Sequence, residues 1–186
     1  MKIALFLGKF NPFHKGHLEA VEAAFLKFHM DKIIVVPTML QNPWWEGKFL
    51  DFDERFEIIK RSLLDLWTIG ISWIRDNQNR IIISDIEKDL IPPYYEYATL
   101  HALKNKYCND EVFVLCGVDV IQDIPNWMHG GKILEDYDFL VIDRYKDISS
   151  TIIQEKIKDD EDITPYVTPG AERLIRKFYE KEEAPL

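Results

Sequence analysis

Gly8-Lys9-Phe10-Asn11-Pro12-Phe13-His14-Lys15-Gly16-His17 is the stretch on which the reading of this chain turns. It follows the apolar run Ile3-Ala4-Leu5-Phe6-Leu7, short and bounded by glycine as a buried strand is. It precedes Leu18, Val21, Phe25 and Phe28, which recur at helical spacing. A strand, a tight loop and a helix start therefore meet here. Gly8 and Gly16 lack a Cβ and admit a ligand close to the backbone, and the helix N-terminus offers unpaired N–H groups to an anion. His14 and His17, three apart, can aim at one place. A strand, loop and helix with one glycine occurs in many α/β proteins that bind nothing there, and a lone histidine is usually a surface residue. Two glycines, two histidines and Pro12 within ten residues answer to no packing requirement, so the segment reads as a phosphate site.

Working outward, Ile33-Ile34-Val35-Val36 is a second β-branched run one helix later, the βαβ pattern of a parallel sheet, and Pro37 ends it. Residues 38–50 have no period and strong turn chemistry, with Asn42-Pro43-Trp44-Trp45-Glu46-Gly47-Lys48 at their centre. This is expected to be a loop at the carboxyl edge of the sheet, where open α/β sheets hold ligands. Adjacent tryptophans cannot both face one core from a regular element, so one is offered to a substrate or partner, or both cap the core. Asp51 or Asp53 caps a helix whose Phe56, Ile59, Leu63, Leu66 and Trp67 share a face, and that helix reads as structural. Residues 69–74 and 80–86 are expected to be β-rich, forming a hairpin or a short connecting strand around a polar turn.

Pro92-Pro93 breaks the chain before residues 94–103, a helix start leading into an amphipathic pattern. Residues 111–116 read as a buried strand ending in Gly117-Val118-Asp119, a turn whose carboxylate suits the hydroxyls of a ribose. Trp127 on its own reads as a core residue. Residues 139–142 form the last strand, and Ser149-Ser150-Thr151 opens a helical run at 152–157, more hydroxyls than one N-cap needs. Pro169 opens a closing helix with Leu174, Ile175 and Phe178 apolar.

The length of 186 residues favours one domain, 1–186, with a single substantial core. At 47% hydrophobic and 30% charged the chain is of ordinary globular composition. No apolar run is long enough for a bilayer, and the first residues lack a signal peptide's apolar region, so the expectation is a cytoplasmic protein with no membrane partner. Aspartate and glutamate outnumber lysine and arginine 32 to 23, a net charge of −9, which argues against a nucleic-acid partner but not against a local phosphate pocket. Cys108 and Cys116 have no metal-ligand spacing and read as reduced packing residues.

The opening stretch resembles the G-x-F-x-P-x-H-x-G-H signature of the nucleotidyltransferase superfamily, carried by Gly8, Phe10, Pro12, His14, Gly16 and His17. Further elements resemble the nicotinate and nicotinamide mononucleotide adenylyltransferases within it. Pro93, Tyr95, Thr99 and Leu100 match P-S-Y-T-x-x-T-L, with Glu96 where that group usually has threonine. Gly117-Val118-Asp119 is similar to the family's Gly-Ala-Asp, and Trp127 to the aromatic that stacks on the pyridine ring. Residues 148–153 resemble I-S-S-T-x-I-R, with Gln154 in place of the arginine, a loss for which Lys156 or Lys15 is a candidate substitute. The likeness runs from Ile3 to Tyr179.

The resemblance implies a Rossmann-like α/β fold, an open and mainly parallel sheet with helices on both faces and closing C-terminal helices. It implies attack of a mononucleotide phosphate on the α-phosphorus of ATP, with ATP and a pyridine mononucleotide as partners and Mg²⁺ held mainly by substrate phosphates. His14 and His17 would be catalytic donors to the ATP phosphates. Gly8, Lys9, Phe10, Gly117, Asp119, Ser149, Ser150 and Thr151 would complete the ATP site, and Trp44, Trp45, Lys48, Glu96 and Trp127 the acceptor site. No residue is assigned as a protein ligand of the metal. Three alternatives stand beside this: a phosphopantetheine-type adenylyltransferase, a nucleotide-binding sensor without turnover, and an interaction module presenting Trp44-Trp45. Whether the chain forms a homo-oligomer is not legible in the sequence.

Overall fold

A computed structural model describes residues 1–39, 48–143 and 148–180. Among them, five strands form one sheet: β1 (Lys2–Gly8), β2 (Lys32–Pro37), β3 (Ile81–Ile83), β4 (Glu111–Gly117) and β5 (Asp138–Ile142), in the order β3-β2-β1-β4-β5. Every pairing is parallel. The open, parallel α/β architecture expected from the alternating strand and helix patterns is the one observed.

Strand alternation sends neighbouring side chains to opposite faces, and both faces are covered. Ala4, Phe6, Ile33 and Val35 join one apolar cluster, while Ile3, Leu5, Ile34 and Val36 join the other. The first cluster lies under α1 (Lys15–Leu26), α2 (Phe52–Ile69), α7 (Ser150–Lys158) and α8 (Pro169–Glu180). The second lies under α4 (Glu96–Lys106) and α6 (Gly130–Asp136). Two short helices, α3 (Ser72–Asn77) and α5 (Val118–Asp123), complete the described set. Asp51 caps α2: its carboxylate accepts from the Glu54 N–H at 2.7 Å while Glu54 Oε2 accepts from the Asp51 N–H at 3.2 Å.

Three sequence expectations are corrected. Residues 69–74 form no strand: α2 runs to Ile69, Gly70 closes it in the left-handed region at φ 77°, and Ser72 opens α3. The β-branched residues there, Ile71 and Ile74, serve packing against the first cluster rather than a ladder. Of residues 80–86 only Ile81, Ile82 and Ile83 pair, in parallel with β2, so of the two forms expected the short strand is observed and the hairpin is not, and β3 is one edge of the sheet. Cys116 is buried as expected, and burial pushes its thiol up to about 11, but Cys108 is exposed in the turn after α4 and packs no core. No helix among the described residues is long and apolar enough to cross a membrane.

Strand order fixes where a ligand goes. Chain connections leave β1 in one direction toward β2 and β3, and the sheet is extended on its other side by β4 and β5. The β1–β4 ladder ends at Leu5 with Val114, so the last residues of these strands, up to Gly8 and Gly117, part at the carboxyl edge. Such a switch point is the natural crevice of an open α/β sheet.

Candidate active site

The loop between β1 and α1 fills that crevice from one side. Phe10 takes φ 47°, a left-handed conformation unusual for a bulky residue. Its ring lies over Gly8, where a Cβ would come within 2.8 Å of Phe10 Cε1. The missing Cβ of Gly16 makes similar room for the His14 imidazole, 3.2 Å from where a Cβ would sit. Gly8 and Gly16 thus accommodate the loop's own rings. Gly117 has nothing within 4 Å of a Cβ position, so its bare backbone faces open space.

His14 is the N-cap of α1, and its backbone N–H donates to His17 Nδ1 at 3.1 Å. With a lone pair on Nδ1, neutral His17 carries its proton on Nε2, a donor. The two imidazoles stack with centroids 3.6 Å apart, and Phe13 also stacks with His17 at 5.1 Å, with Phe10 edge-on at 4.9 Å. Burial, and then the nearby His14, holds His17 well below the ordinary histidine pKa. At neutral pH His17 is therefore an uncharged hydrogen-bond donor, prepared to strengthen its bond as charge builds on an acceptor.

Across the crevice, α7 contributes its N-terminus. Ser149 is the N-cap, accepting from the Ile152 N–H at 3.2 Å, and Ser150 Oγ donates to the Pro12 carbonyl at 3.0 Å. Thr151 is exposed in the first turn. The hydroxyl triplet therefore divides its work between capping, latching the loop and facing outward. Gln154, standing where the resemblance places arginine, donates from Nε2 to the Asn11 carbonyl at 2.6 Å. Lys15 Nζ donates to the carbonyls of Thr164 and Pro165, and Lys156 pairs with Glu161 at 2.6 Å, so both are engaged away from the position of Gln154. Asp119 is exposed in the first turn of α5, one strand end from Gly8.

On the opposite side, Glu96 opens α4 and Trp127 follows α5 after a one-turn 3₁₀ segment. Both line one small cavity of about 30 Å³ with Leu7, Leu100, Cys116 and Ile133. The indole N–H donates to Asp123 Oδ2 at 2.9 Å, which fixes the ring plane. Lys48 comes near the loop as well: its carbonyl accepts from Asn11 Nδ2 at 3.2 Å, and its Nζ donates to the Tyr179 carbonyl at 3.3 Å. Trp44 and Trp45 lie outside the described residues.

Three supporting residues were not legible in the sequence. Asn11, 2% exposed, accepts on Oδ1 from the Leu50 N–H at 3.0 Å and from Tyr179 Oη at 3.2 Å, joining the loop to residues 48–50 and to α8. Arg55, 1% exposed, donates from Nε to the Leu50 carbonyl at 3.0 Å and from an Nη to the Lys9 carbonyl at 2.7 Å. Burial pushes its pKa down to about 10, with Glu87 opposing, so it stays charged at neutral pH. The helix α2, read from sequence as structural only, thus reaches the site. The signal was present: Arg55 occupies the helix face of Phe52 and Ile59, where a charge is out of pattern. The third, Glu87, is 1% exposed and had no such signal.

The chain matches the cytidylyltransferase-like family over residues 5–156. It is 30% identical to a Fusobacterium nucleatum subsp. nucleatum protein named "Probable nicotinate-nucleotide adenylyltransferase", over 96% of this chain and 99% of that one. It is 29% identical to a Flavobacterium johnsoniae protein of the same name, over 97% and 100%. The fold is similar to a Plasmodium falciparum nicotinic acid mononucleotide adenylyltransferase complexed with NaAD, with a TM-score of 0.74 at 19% identity over 95% of each chain. By these matches the chain belongs to the cytidylyltransferase-like family, among its nicotinate-nucleotide adenylyltransferases.

Proposed function

We propose that this protein joins ATP to a pyridine mononucleotide, nicotinate or nicotinamide mononucleotide, giving the dinucleotide and pyrophosphate in NAD biosynthesis. The observation that carries the reading is the stacked His14–His17 pair at the β1–β4 crevice, with Ser150 latching α7 onto the same loop. An oxygen of the acceptor phosphate attacks the α-phosphorus of ATP. The bond from that phosphorus to the bridging oxygen breaks, and pyrophosphate leaves with the electron pair. The attacking phosphate is already ionised, so the protein's task is to position two anions and stabilise the departing charge. His17 Nε2–H and His14 would donate to phosphate oxygens, and neither acts as a base.

Backbone at Gly8, Lys9 and Phe10 and the Ser149–Thr151 turn would hold the phosphates, and Gly117 with Asp119 the ribose. Imidazole and hydroxyl donors suit phosphate oxygens rather than a divalent cation. Mg²⁺ would arrive on the ATP phosphates and neutralise charge on the leaving pyrophosphate. On the acceptor side, Trp127 would stack on the pyridine ring beside Lys48, with Trp44 and Trp45 assigned by resemblance alone. Glu96, in the cavity of Trp127, would repel the acid of nicotinate and accept from the amide of nicotinamide. Two apolar clusters sharing one sheet support a single domain, and the activity suits a cytoplasmic location.

Pyrophosphate release from ATP, measured with each mononucleotide in turn, tests the proposal. Release is expected only when an acceptor is present. Binding of both substrates without release would instead support a sensor without turnover.

A further inference from the structure

A carboxylate is seldom buried as completely as Glu87 unless several donors hold it. Glu87 sits in the short 3₁₀ segment Ile86–Asp89 between β3 and α4. One oxygen accepts from the Met39 N–H, the other from Thr99 Oγ1 at 2.7 Å, and the Thr38 hydroxyl also bonds it. Thr38 and Met39 are the first residues past β2, and the Thr38 N–H donates to the Gly8 carbonyl at 3.0 Å, at the mouth of the nucleotide loop. Thr99 is fully buried in α4, three residues after Glu96, and the Glu96 carboxylate acts on Glu87 through space. One buried side chain therefore ties the exit of β2 to the first turn of the helix that presents Glu96. None of these bonds reaches α1, α5 or α7.

We propose that Glu87 is a positioning residue of the acceptor subsite, fixing the first turn of α4, and Glu96 with it, against the exit of β2. This rests on the adenylyltransferase reading above. Glutamine at position 87 keeps the shape but cannot accept from three donors, and Thr99→Val removes one donor at constant volume. Steady-state kinetics with nicotinate mononucleotide and nicotinamide mononucleotide, each at saturating ATP, measure the acceptor KM, and ATP is then varied at saturating acceptor. For Glu87→Gln the expected result is an acceptor KM raised about tenfold, the value of one lost hydrogen bond to a charged group, with the ATP KM within about twofold of the parent. Thr99→Val should move the same constant in the same direction and carries the test alone if Glu87→Gln does not fold. Equal changes in both KM values, or a lowered melting temperature with both KM values unchanged, would overturn the proposal. A parent protein that releases no pyrophosphate with either acceptor would instead overturn the reading of the site itself.

Discussion

The side of the crevice proposed for the nucleotide and the side proposed for the acceptor are built in opposite ways. On the nucleotide side both histidines proposed to touch ATP come from one continuous loop, and four residues on three other helices brace it: Arg55 at Lys9, Gln154 and Tyr179 at Asn11, and Ser150 at Pro12. On the proposed acceptor side Glu96 and Trp127 come from separate elements around a cavity of about 30 Å³, where Asp123 bonds the Trp127 indole and Glu87 bonds Thr99, three residues along α4 from Glu96. The first arrangement suits donors aimed at a charge that would develop in the proposed reaction. The second would set a small apolar wall against a flat ring. Preorganised donors govern kcat, whereas a wall that grips the substrate's ring in ground and transition state alike governs KM.

Breaking the nucleotide side should therefore cost most. His17→Ala removes a neutral donor and the ring on which His14 stacks, and kcat should fall about 10²–10³-fold, the cost of one such donor in other enzymes. The acceptor KM should stay within about threefold. A loss confined to KM would mean that the stacked pair binds ground state and transition state equally. The neutral form also sets a pH dependence. Because His17 is held below its ordinary value of 6.5, the unfolded chain binds the proton more readily, so this residue makes stability fall as pH drops below 6.5.

The same contrast explains what could be read in the sequence. Gly8 to His17, Gly117-Val118-Asp119 and Ser149-Ser150-Thr151 were legible because each is a run of neighbours at a strand end or helix start, where local chemistry and topology agree. Arg55 and Glu87 acquire their roles only from tertiary burial. Arg55 breaks the apolar face of its helix, which hints at burial without saying what it would bond, and Glu87 lies in the charged run Asp85-Ile86-Glu87-Lys88-Asp89, where nothing local separates it from its neighbours. The strand expected at 69–74 failed for a related reason. Isoleucines there report burial, and β-branched composition does not distinguish a packed turn and short helix from a ladder.

Trp127→Ala is the next largest effect and sharpens the comparison from the other side. Loss of roughly 1.4 kcal/mol of stacking should raise the acceptor KM about tenfold while leaving the ATP KM unchanged. An unchanged acceptor KM would return Trp127 to the role of packing residue for the second cluster. Smaller still, Glu96→Thr should move the ratio of kcat/KM for the two acceptors several-fold toward nicotinate mononucleotide, by removing like-charge repulsion in the cavity. An unchanged ratio would place the carboxylate away from the pyridine substituent.

The least effect on turnover is expected at Asp65, which serves both sides equally. Its carboxylate accepts from Thr168 Oγ1 at 2.6 Å and from the N–H groups of Gly170 and Ala171, anchoring the start of α8, whose far end carries Tyr179 to Asn11 and Lys48. Burial alone would raise its pKa, but Thr168, the two backbone donors and Arg61 outweigh it and hold the carboxyl below its ordinary value of 3.8. Asp65→Asn should lower stability by about 1–2 kcal/mol, as loss of a helix cap does, with kcat/KM for both substrates within about twofold. A depressed carboxylate stabilises the fold above its unfolded value, and the contribution is lost as pH falls through the folded one. In denaturant titrations the gap between parent and variant should accordingly be full at neutral pH and narrow as pH drops below 3.8. A gap independent of pH would assign the stabilisation to shape rather than to charge. A fall in kcat without a change in stability would show that α8 contributes to the phosphate loop's preorganisation more directly than its contacts through Tyr179 imply.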